Sequence, residues 1–147
     1  MRLWHYKLIP FLPNSQLIAQ WRELNSIFKK QDKHILINYV YEYSKHDLYI
    51  YSFMVLKEMT HRNFKIKSVD NFNNYFGLDP LAEIVMKTGE TPFVRHHDKR
   101  YLRQCFYNLQ EKYDRGQKDF SKEQYFSLLE FCRSFDYPND LNSGGDL

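Results

Sequence analysis

The sequence is poor in the residues that build disulfide frameworks, flexible linkers and membrane spans. Its 147 residues include two cysteines, five glycines and five prolines. Cys105 and Cys132 lie among apolar residues in helical patterns, so we expect two buried thiols in a reducing cytoplasm, with a disulfide as the alternative. No run of about 18 or more apolar residues occurs, so we expect no membrane-spanning helix. The start of the chain lacks the small-residue cleavage site of a signal peptide, and we expect none.

Several motifs that bind phosphates or metals, or that transfer acyl groups, are also missing. There is no glycine-rich phosphate loop and no Gly-x-Ser-x-Gly elbow. The two cysteines do not have zinc-ligand spacing. His96 and His97 are neighbours in sequence, whereas two metal ligands on one helix stand a full turn apart. We therefore expect neither a metal nor another cofactor.

Aromatic residues and a mild excess of positive charge mark the composition. Aromatic residues make up 18% of the chain, and the formal net charge is +3. The length fits one domain with a core rich in rings. A charge of this size is compatible with a polyanionic partner but does not identify one. We predict a single helical domain over residues 1–135 and a frayed tail over residues 136–147.

The hydrophobic periodicity predicts an all-α fold, a compact single-domain bundle of about four helices joined by long irregular connections. Cap residues and the asparagine or glycine that follows a helix set the predicted boundaries. The first predicted helix runs from Asn14, as N-cap, to about residue 30, and the second from about Leu48, capped by Asp47, to Arg62 before Asn63. The third starts near Asp98 and ends before Gly116. The fourth runs from the Ser121–Gln124 capping box to about Phe135.

The remaining segments are predicted as connections. Apolar residues alternate with others over residues 31–45, which permits a strand, but no partner strand follows, so an extended and buried connection is favoured. Residues 64–94 are rich in Asn, Gly and Pro and are predicted as a long connection with a short helical piece over Leu81–Lys87. The tyrosines of residues 39–51 are interpreted as core packing rather than as a surface for base stacking.

The first predicted helix carries a guanidinium and a carboxylate side by side, at Arg22 and Glu23. At about 100° per residue, Leu24 and Phe28 fall on the core side. Arg22 and Glu23 instead border a polar arc whose other members are small or uncharged. Two interpretations of that arc remain open: an ordinary solvated face, or a surface on which a ligand docks.

The α-amine of Met1 adds a candidate nucleophile. Removal of an initiator methionine needs a small second residue, and Arg2 is bulky, so we expect Met1 to stay. An α-amine titrates near about 8, roughly two units below a lysine, so more of it is neutral and nucleophilic at neutral pH. An amine beside a carboxylate is the minimal pair for Schiff-base chemistry on a sugar. The alternative is that the chain start has no chemical role.

Two basic clusters are candidates for phosphate contact. Lys29, Lys30 and Lys33 stand at the end of the first predicted helix, where a favourable interaction with the helix dipole is the alternative explanation. The second cluster surrounds the start of the third predicted helix, where positive charge is unfavourable unless an anion lies nearby, and an ordinary charged surface is the alternative. Its members are Arg95, His96, His97, Lys99, Arg100 and Arg103.

Three stretches of the N-terminal half match the pattern of a known family. They are Met1-Arg2-Leu3-Trp4; then Leu17 with Trp21-Arg22-Glu23-Leu24, Phe28 and Lys33-His34; and then Glu58–Lys67. Together they resemble the pyrimidine-dimer DNA glycosylase family, the phage-type endonucleases with an N-terminal-amine nucleophile. That family is all-α, needs no metal and acts on damaged double-stranded DNA, so the resemblance implies the same for this chain.

The resemblance also implies a role for each matching residue. The Met1 amine would attack C1′ of the damaged nucleotide, displace the base and form an imine with the opened sugar. Glu23 would stabilise the cationic intermediate and shuttle the proton whose loss drives β-elimination. Arg2 and Arg22 would hold the phosphates that flank the lesion. The implied function is that of a DNA-repair glycosylase with abasic-site lyase activity, and we expect the protein to be a monomer. A lyase for abasic sites alone and a non-catalytic nucleic-acid- or protein-binding module remain as alternatives.

Overall fold

The computed structural model describes residues 1–77 and 90–134, and the regular structure of these residues is helical. The α-helices are α1 (Asn14–Lys30), α2 (Lys45–His61), α3 (Asp70–Phe76), α4 (Lys99–Asp114) and α5 (Lys122–Arg133). Two short 3₁₀-helices, Tyr6–Phe11 and Asn38–Glu42, precede α1 and α2. The all-α prediction is confirmed. None of the described helices combines the length and apolar character needed to cross a lipid bilayer.

The core draws buried residues from each described α-helix and from the 3₁₀-helix Tyr6–Phe11. α1 packs against α2 and α3, and the 3₁₀-helix packs against α2, α4 and α5. The core side of α1 includes Leu24 and Phe28, as the periodicity predicts, and both are buried. Cys105 of α4 and Cys132 of α5 are buried free thiols, so the predicted burial is confirmed and the alternative of a disulfide is wrong.

Local sequence signals set the ends of α4 and α5. The Asp98 carboxylate accepts a hydrogen bond from the backbone N–H of Tyr101 at 2.9 Å, which caps α4. Ser121 and Gln124 form the predicted reciprocal capping box, with distances of 2.8 and 3.1 Å. Gly116 follows α4 with a φ of +84°, a conformation that glycine adopts without steric cost. The predicted start of this helix near Asp98, its predicted end before Gly116 and the predicted capping box are confirmed.

Some predicted boundaries are wrong by a few residues. Asn14 is the first residue of α1 rather than its N-cap, and its side chain accepts a hydrogen bond from Arg62 at 2.9 Å. α2 begins at Lys45, because Asp47 lies in its first turn and accepts a hydrogen bond from the backbone N–H of Phe93 at 2.8 Å. Asn63 is left-handed after α2, with a φ of 63°, as predicted. α5 ends at Arg133 rather than near residue 135.

The extended connection predicted for residues 31–45 is wrong in its second half. Asn38–Glu42 forms a 3₁₀-helix. Ile37 and Val40 are buried together, as expected for a helix with three residues per turn. Ile35 is exposed, so the predicted burial does not extend along the whole segment. A short apolar alternation fits both structures, and packing decides between them.

The helix α3 was missed by the sequence analysis, which assigned its residues to a long connection. Asn71-Phe72-Asn73-Asn74 has low helix propensity, but the burial of Phe72 against other rings overrides it. The Phe72 ring centroid lies 5.7 Å from that of Phe28 and 5.3 Å from that of Tyr49. The helical piece predicted over Leu81–Lys87 and the tail predicted over residues 136–147 lie outside the described residues.

Candidate active site

Gln20, a buried side chain of α1, ties the start of the chain to this helix. Its Oε1 accepts a hydrogen bond from the backbone N–H of Trp4 at 2.8 Å. Its Nε2 donates to the carbonyl oxygen of Arg2 at 2.9 Å and to Glu23 Oε2 at 3.2 Å. Both polar atoms of the amide are therefore paired, as burial requires. The same side chain holds the start of the chain beside Glu23.

Two tyrosines hold the carbonyl oxygens of the next residues. Tyr101 of α4 donates to the carbonyl oxygen of Leu3 at 2.5 Å. The hydroxyl of Tyr51, from α2, lies 2.6 Å from the carbonyl oxygen of Trp4 and 2.9 Å from Gln20 Oε1. Burial raises the pKa of both hydroxyls, so both remain protonated donors. Three consecutive carbonyl oxygens are thus held by three different helices.

Met1 and Glu23 line the same small cleft, which α1 and α4 form with the chain start. The cleft has a volume of about 280 Å³. Glu23 Oε2 lies 3.4 Å from the backbone nitrogen of Arg2, the residue that follows Met1. The other lining residues are Arg2, Trp4, Gln16, Asn108, Glu111 and Lys112. The structure therefore brings together the two residues predicted as amine and carboxylate, while their catalytic roles stay a prediction.

The half-buried position of Glu23 changes its affinity for protons. Burial raises the pKa of its carboxyl above the ordinary value. The Arg2 N–H and the positive charges of the chain start, Arg22 and His34 act in the opposite direction, with smaller effect. A carboxyl with a raised pKa exchanges protons closer to neutral pH, which suits a general acid–base group.

Arg22 faces a different cleft from Glu23, although the two are neighbours in sequence. They stand about 100° apart around the axis of α1. Arg22 lines a cleft of about 750 Å³ formed by α1, the residues after α2, and α3. Lys65 and Lys67 line it too, together with apolar side chains such as Trp21. The predicted polar arc therefore faces two clefts rather than one docking space.

The Arg2 guanidinium points inward. Its central carbon lies 6.0 Å from the Trp4 ring centroid, and the group is adjacent to the Tyr101 hydroxyl and the Cys105 thiol. Its Nη1 atom is buried and has no hydrogen-bond partner among the described residues. The phosphate contact that the resemblance implies for Arg2 stays a prediction, and it requires this side chain to turn outward.

The predicted lysine contacts lie at the exposed end of α1. Lys29 and Lys30 occupy its last turn. Helix geometry places Lys30 on the same side of α1 as Glu23, about 10 Å further along the axis. Lys33 follows the helix, and its Nζ lies 3.8 Å from the centroid of the Tyr41 ring. All three lysines are exposed.

The predicted arginine and lysine contacts near α4 are exposed as well. The Arg95 guanidinium carbon lies 4.7 Å from the centroid of the Tyr43 ring, just before the helix. Lys99 and Arg100 occupy the first turn of α4. Arg100 shares one side of α4 with Glu111, which lines the small cleft about 16 Å away along the axis.

His97 does not belong to the exposed basic cluster in which the sequence analysis placed it. It is buried, and its Nδ1 accepts a hydrogen bond from the backbone N–H of Tyr6 at 3.2 Å. Its Nε2 therefore carries the proton and faces the Tyr39 hydroxyl at 2.6 Å. Burial lowers the pKa of His97 to about 2, so the side chain is neutral and does not attract phosphate.

His5 extends this buried polar cluster toward the chain start. Its Nδ1 accepts a hydrogen bond from the backbone N–H of Lys7 at 3.1 Å, and its Nε2 donates to the carbonyl oxygen of His97 at 2.8 Å. Burial lowers the pKa of His5 to about 4. The sequence analysis missed these contacts and those of Gln20. One signal was available, since Gln20 stands one turn before Leu24 on the apolar side of α1.

Comparison with known proteins points to one family. Residues 1–71 match the family model described as pyrimidine dimer DNA glycosylase. No curated protein and no solved structure matches the chain. The matched stretch contains Met1, Arg22, Glu23 and every residue that lines the larger cleft. The resemblance predicted from the sequence is thereby confirmed over residues 1–71, and a DNA-repair function of this type is supported at the level of the family.

Proposed function

We propose that this protein is a DNA-repair glycosylase of the pyrimidine-dimer type with abasic-site lyase activity, in which the Met1 amine is the nucleophile. One observation carries the proposal. Met1 and Glu23 line one cleft, and the Gln20 amide bonds both the Arg2 carbonyl oxygen and the Glu23 carboxylate. The family match over residues 1–71 supports a DNA-repair function of the pyrimidine-dimer glycosylase type at the level of the family.

The first step is nucleophilic substitution at the sugar. The amine nitrogen bonds to C1′ of the damaged nucleotide, and the bond from C1′ to the base breaks with its electrons leaving on the base. The ring bond between C1′ and O4′ then opens, its electrons stay on O4′, and one proton passes from the amine nitrogen to O4′, which leaves a protonated imine between that nitrogen and C1′. The carboxylate of Glu23 stabilises the positive charge that develops there.

The second step is β-elimination. Glu23 accepts a proton from C2′, and the electrons of that bond form a double bond while the C3′–O bond breaks and releases the phosphate. Hydrolysis of the remaining imine regenerates the free amine. The raised pKa of the Glu23 carboxyl supports its role in taking up and returning protons.

The duplex would lie across the exposed edge of α1 between the two clefts. Arg22, with Lys65 and Lys67, would contact phosphates on the side of the larger cleft. Lys29, Lys30 and Lys33 would extend this contact beyond the end of α1, and Arg95, Lys99 and Arg100 would extend it along α4. Exposed cations that replace counterions around phosphates supply most of the affinity in such complexes.

Borohydride trapping tests the proposal. The untagged protein, with Met1 confirmed by intact mass, is incubated with a duplex that carries one abasic site or one thymine dimer. A covalent adduct is expected with both duplexes, and peptide mapping should locate it on the peptide that begins with Met1. A version with residues added before Met1 is the matched control and should give no adduct.

The outcomes of this experiment separate the alternatives. An adduct with the abasic duplex alone indicates a lyase without the glycosylase step. DNA binding without any adduct indicates a non-catalytic module. An adduct on a lysine instead of the chain start rules out the proposed nucleophile.

A further inference from the structure

We propose that the turn over residues 34–37 is a wedge that enters the DNA duplex beside the lesion, with Ile35 as the inserted side chain. Among the described residues, Ile35 is the most exposed large hydrophobic side chain, at 85%. Leu36 beside it is also exposed. This inference rests on the proposed function and adds a step that precedes the chemistry, the separation of stacked bases.

The base of the turn is rigid, although its tip is exposed. The backbone N–H groups of Ile37 and Asn38 donate to the carbonyl oxygen of His34 at 2.9 and 2.8 Å. The Asn38 side chain accepts a hydrogen bond from the backbone N–H of His34 at 2.7 Å, and the N–H of Leu36 donates to His34 Nδ1 at 3.1 Å. Ile37 is fully buried and anchors the turn in the core. A preorganised tip loses little conformational entropy when it binds.

The turn lies near the candidate active site. The Asp32 carboxylate, two residues before His34, accepts a hydrogen bond from the Ser26 hydroxyl, and Ser26 lies about one helical turn from Glu23 on α1. Lys33 precedes the turn, with its ammonium against the Tyr41 ring. The apolar tip therefore directly follows a lysine, which can contact a phosphate.

An exposed apolar tip that follows a lysine suits a partner whose surface is anionic and whose interior is apolar. Stacked nucleic acid has this character, and proteins that kink DNA insert Ile, Leu, Met or Phe between base steps. A damaged or missing base weakens the local stacking, so less free energy is needed to open the duplex at the lesion. Ile35 would fill the space left in the stack and keep the damaged nucleotide near the Met1 amine.

Single-turnover trapping with Ile35→Ser tests the wedge on three DNAs that carry an abasic site. The first is a fully paired duplex, the second has mismatched pairs on both sides of the site, and the third is a single strand. The trapping rate on the paired duplex is expected to fall about tenfold or more, since the wedge no longer separates the stacked bases. The rates on the other two DNAs should stay unchanged, because their bases are already unstacked. Ile35→Leu keeps the apolar tip and should restore the duplex rate.

Phe126→Ser is the matched control, because it replaces another exposed apolar side chain, on α5. It should leave all three rates unchanged. An unchanged duplex rate in Ile35→Ser overturns the wedge, and so does an equal loss on all three DNAs. Failure of the unmodified protein to trap on any DNA overturns the proposed function instead.

Fluorescence of 2-aminopurine placed beside the abasic site tests the wedge without chemistry, because this base brightens when it is unstacked. With Glu23→Gln, the fluorescence should rise on binding. With Glu23→Gln and Ile35→Ser combined, it should not rise at saturating protein. An equal rise with both proteins overturns the wedge.

Discussion

The two sides of α1 are built differently. On the side of Glu23, a cleft of about 280 Å³ includes the chain start, whose backbone is fixed by hydrogen bonds to buried side chains. On the side of Arg22, a cleft of about 750 Å³ combines exposed cations with apolar walls. Bond making needs atoms held in place, whereas affinity for a polyanion needs charge and shape. Substitutions on the first side should therefore change rate constants, and substitutions on the second should change affinity.

The largest effect is expected from Glu23→Gln. Loss of the acid–base group should slow strand cleavage at an abasic site about 10²- to 10⁴-fold, while the affinity for DNA changes little. Glu111→Gln is the matched control, because this carboxylate lines the same cleft but is exposed and pairs with Arg115 at 3.3 Å. Its cleavage rate should stay close to that of the unmodified protein. Equal losses in the two variants would show that the charge of the cleft matters rather than the position of Glu23.

The next largest effect is expected from acid, which should lower the free energy of unfolding through the buried His5 and His97. Burial lowers the pKa of His5 to about 4 and that of His97 to about 2, whereas unfolded histidines titrate near 6.5. Between these values the unfolded state binds more protons than the folded state, so stability falls as the pH decreases. At about pH 5 the loss should reach roughly 2 kcal/mol for each histidine. The raised pKa of Glu23 acts in the opposite direction, on one half-buried group.

Urea unfolding between about pH 5 and pH 8 measures this dependence. His97→Asn should be less stable at pH 8, because it disturbs the contacts with Tyr6 and Tyr39. Its stability should nevertheless depend less steeply on pH. If the free energy of unfolding changes with pH equally in His97→Asn and in the unmodified protein, His97 does not contribute to the pH dependence.

Gln20→Leu should weaken the attachment of the chain start. The change leaves the Trp4 N–H and the Arg2 carbonyl oxygen without their partner, which should cost about 2 kcal/mol in the free energy of unfolding. The trapping rate should also fall, since the amine is less well positioned. Gln16→Leu is the control, because Gln16 lines the same cleft on α1 and its side chain makes, within the described part of the chain, one long 3.5 Å hydrogen bond, with Gln117. A drop in stability without a drop in trapping rate would contradict the positioning role.

The smallest effect is expected on the other side of α1. Arg22→Gln should weaken DNA binding a few-fold and reduce the slope of log K against log salt by about one, with single-turnover cleavage at saturating protein unchanged. Arg115→Gln, an exposed arginine on the far end of α4, should leave the salt dependence as it is. If Arg22→Gln slows cleavage at saturation instead, the division between the two sides of α1 is wrong.

Local signals were sufficient to predict the helices that carry the site. The α1 periodicity, the helix start near Asp98 and the Ser121 capping box depend on residues within a few positions of each other, and all three features are present. α3 was missed because the burial of Phe72 outweighs the low helix propensity of its neighbours. Local patterns describe a helix well only where packing does not oppose them.

The candidate site was predictable only in part. The pairing of Met1 with Glu23 follows from the family resemblance, and the structure brings the two together in one cleft. The hydrogen bonds that hold the chain start join residues separated by 16 to 98 positions. No local pattern reports contacts over such distances. The separation of Arg22 from Glu23 into two clefts likewise depends on where distant segments pack.

The three carbonyl oxygens held by Gln20, Tyr51 and Tyr101 fix the length of chain that projects into the small cleft. A residue of extended chain spans about 3.3–3.6 Å. One residue added before Arg2 would move the terminal nitrogen outward by that distance, and one residue removed would move it inward by the same distance. The hydrogen bonds of Gln20, Tyr51 and Tyr101 would stay in place in both cases. Gln20, Tyr51 and Tyr101 bind backbone carbonyl oxygens and not side chains. They therefore set the distance of the terminal nitrogen from the fold without restricting which amino acid stands first.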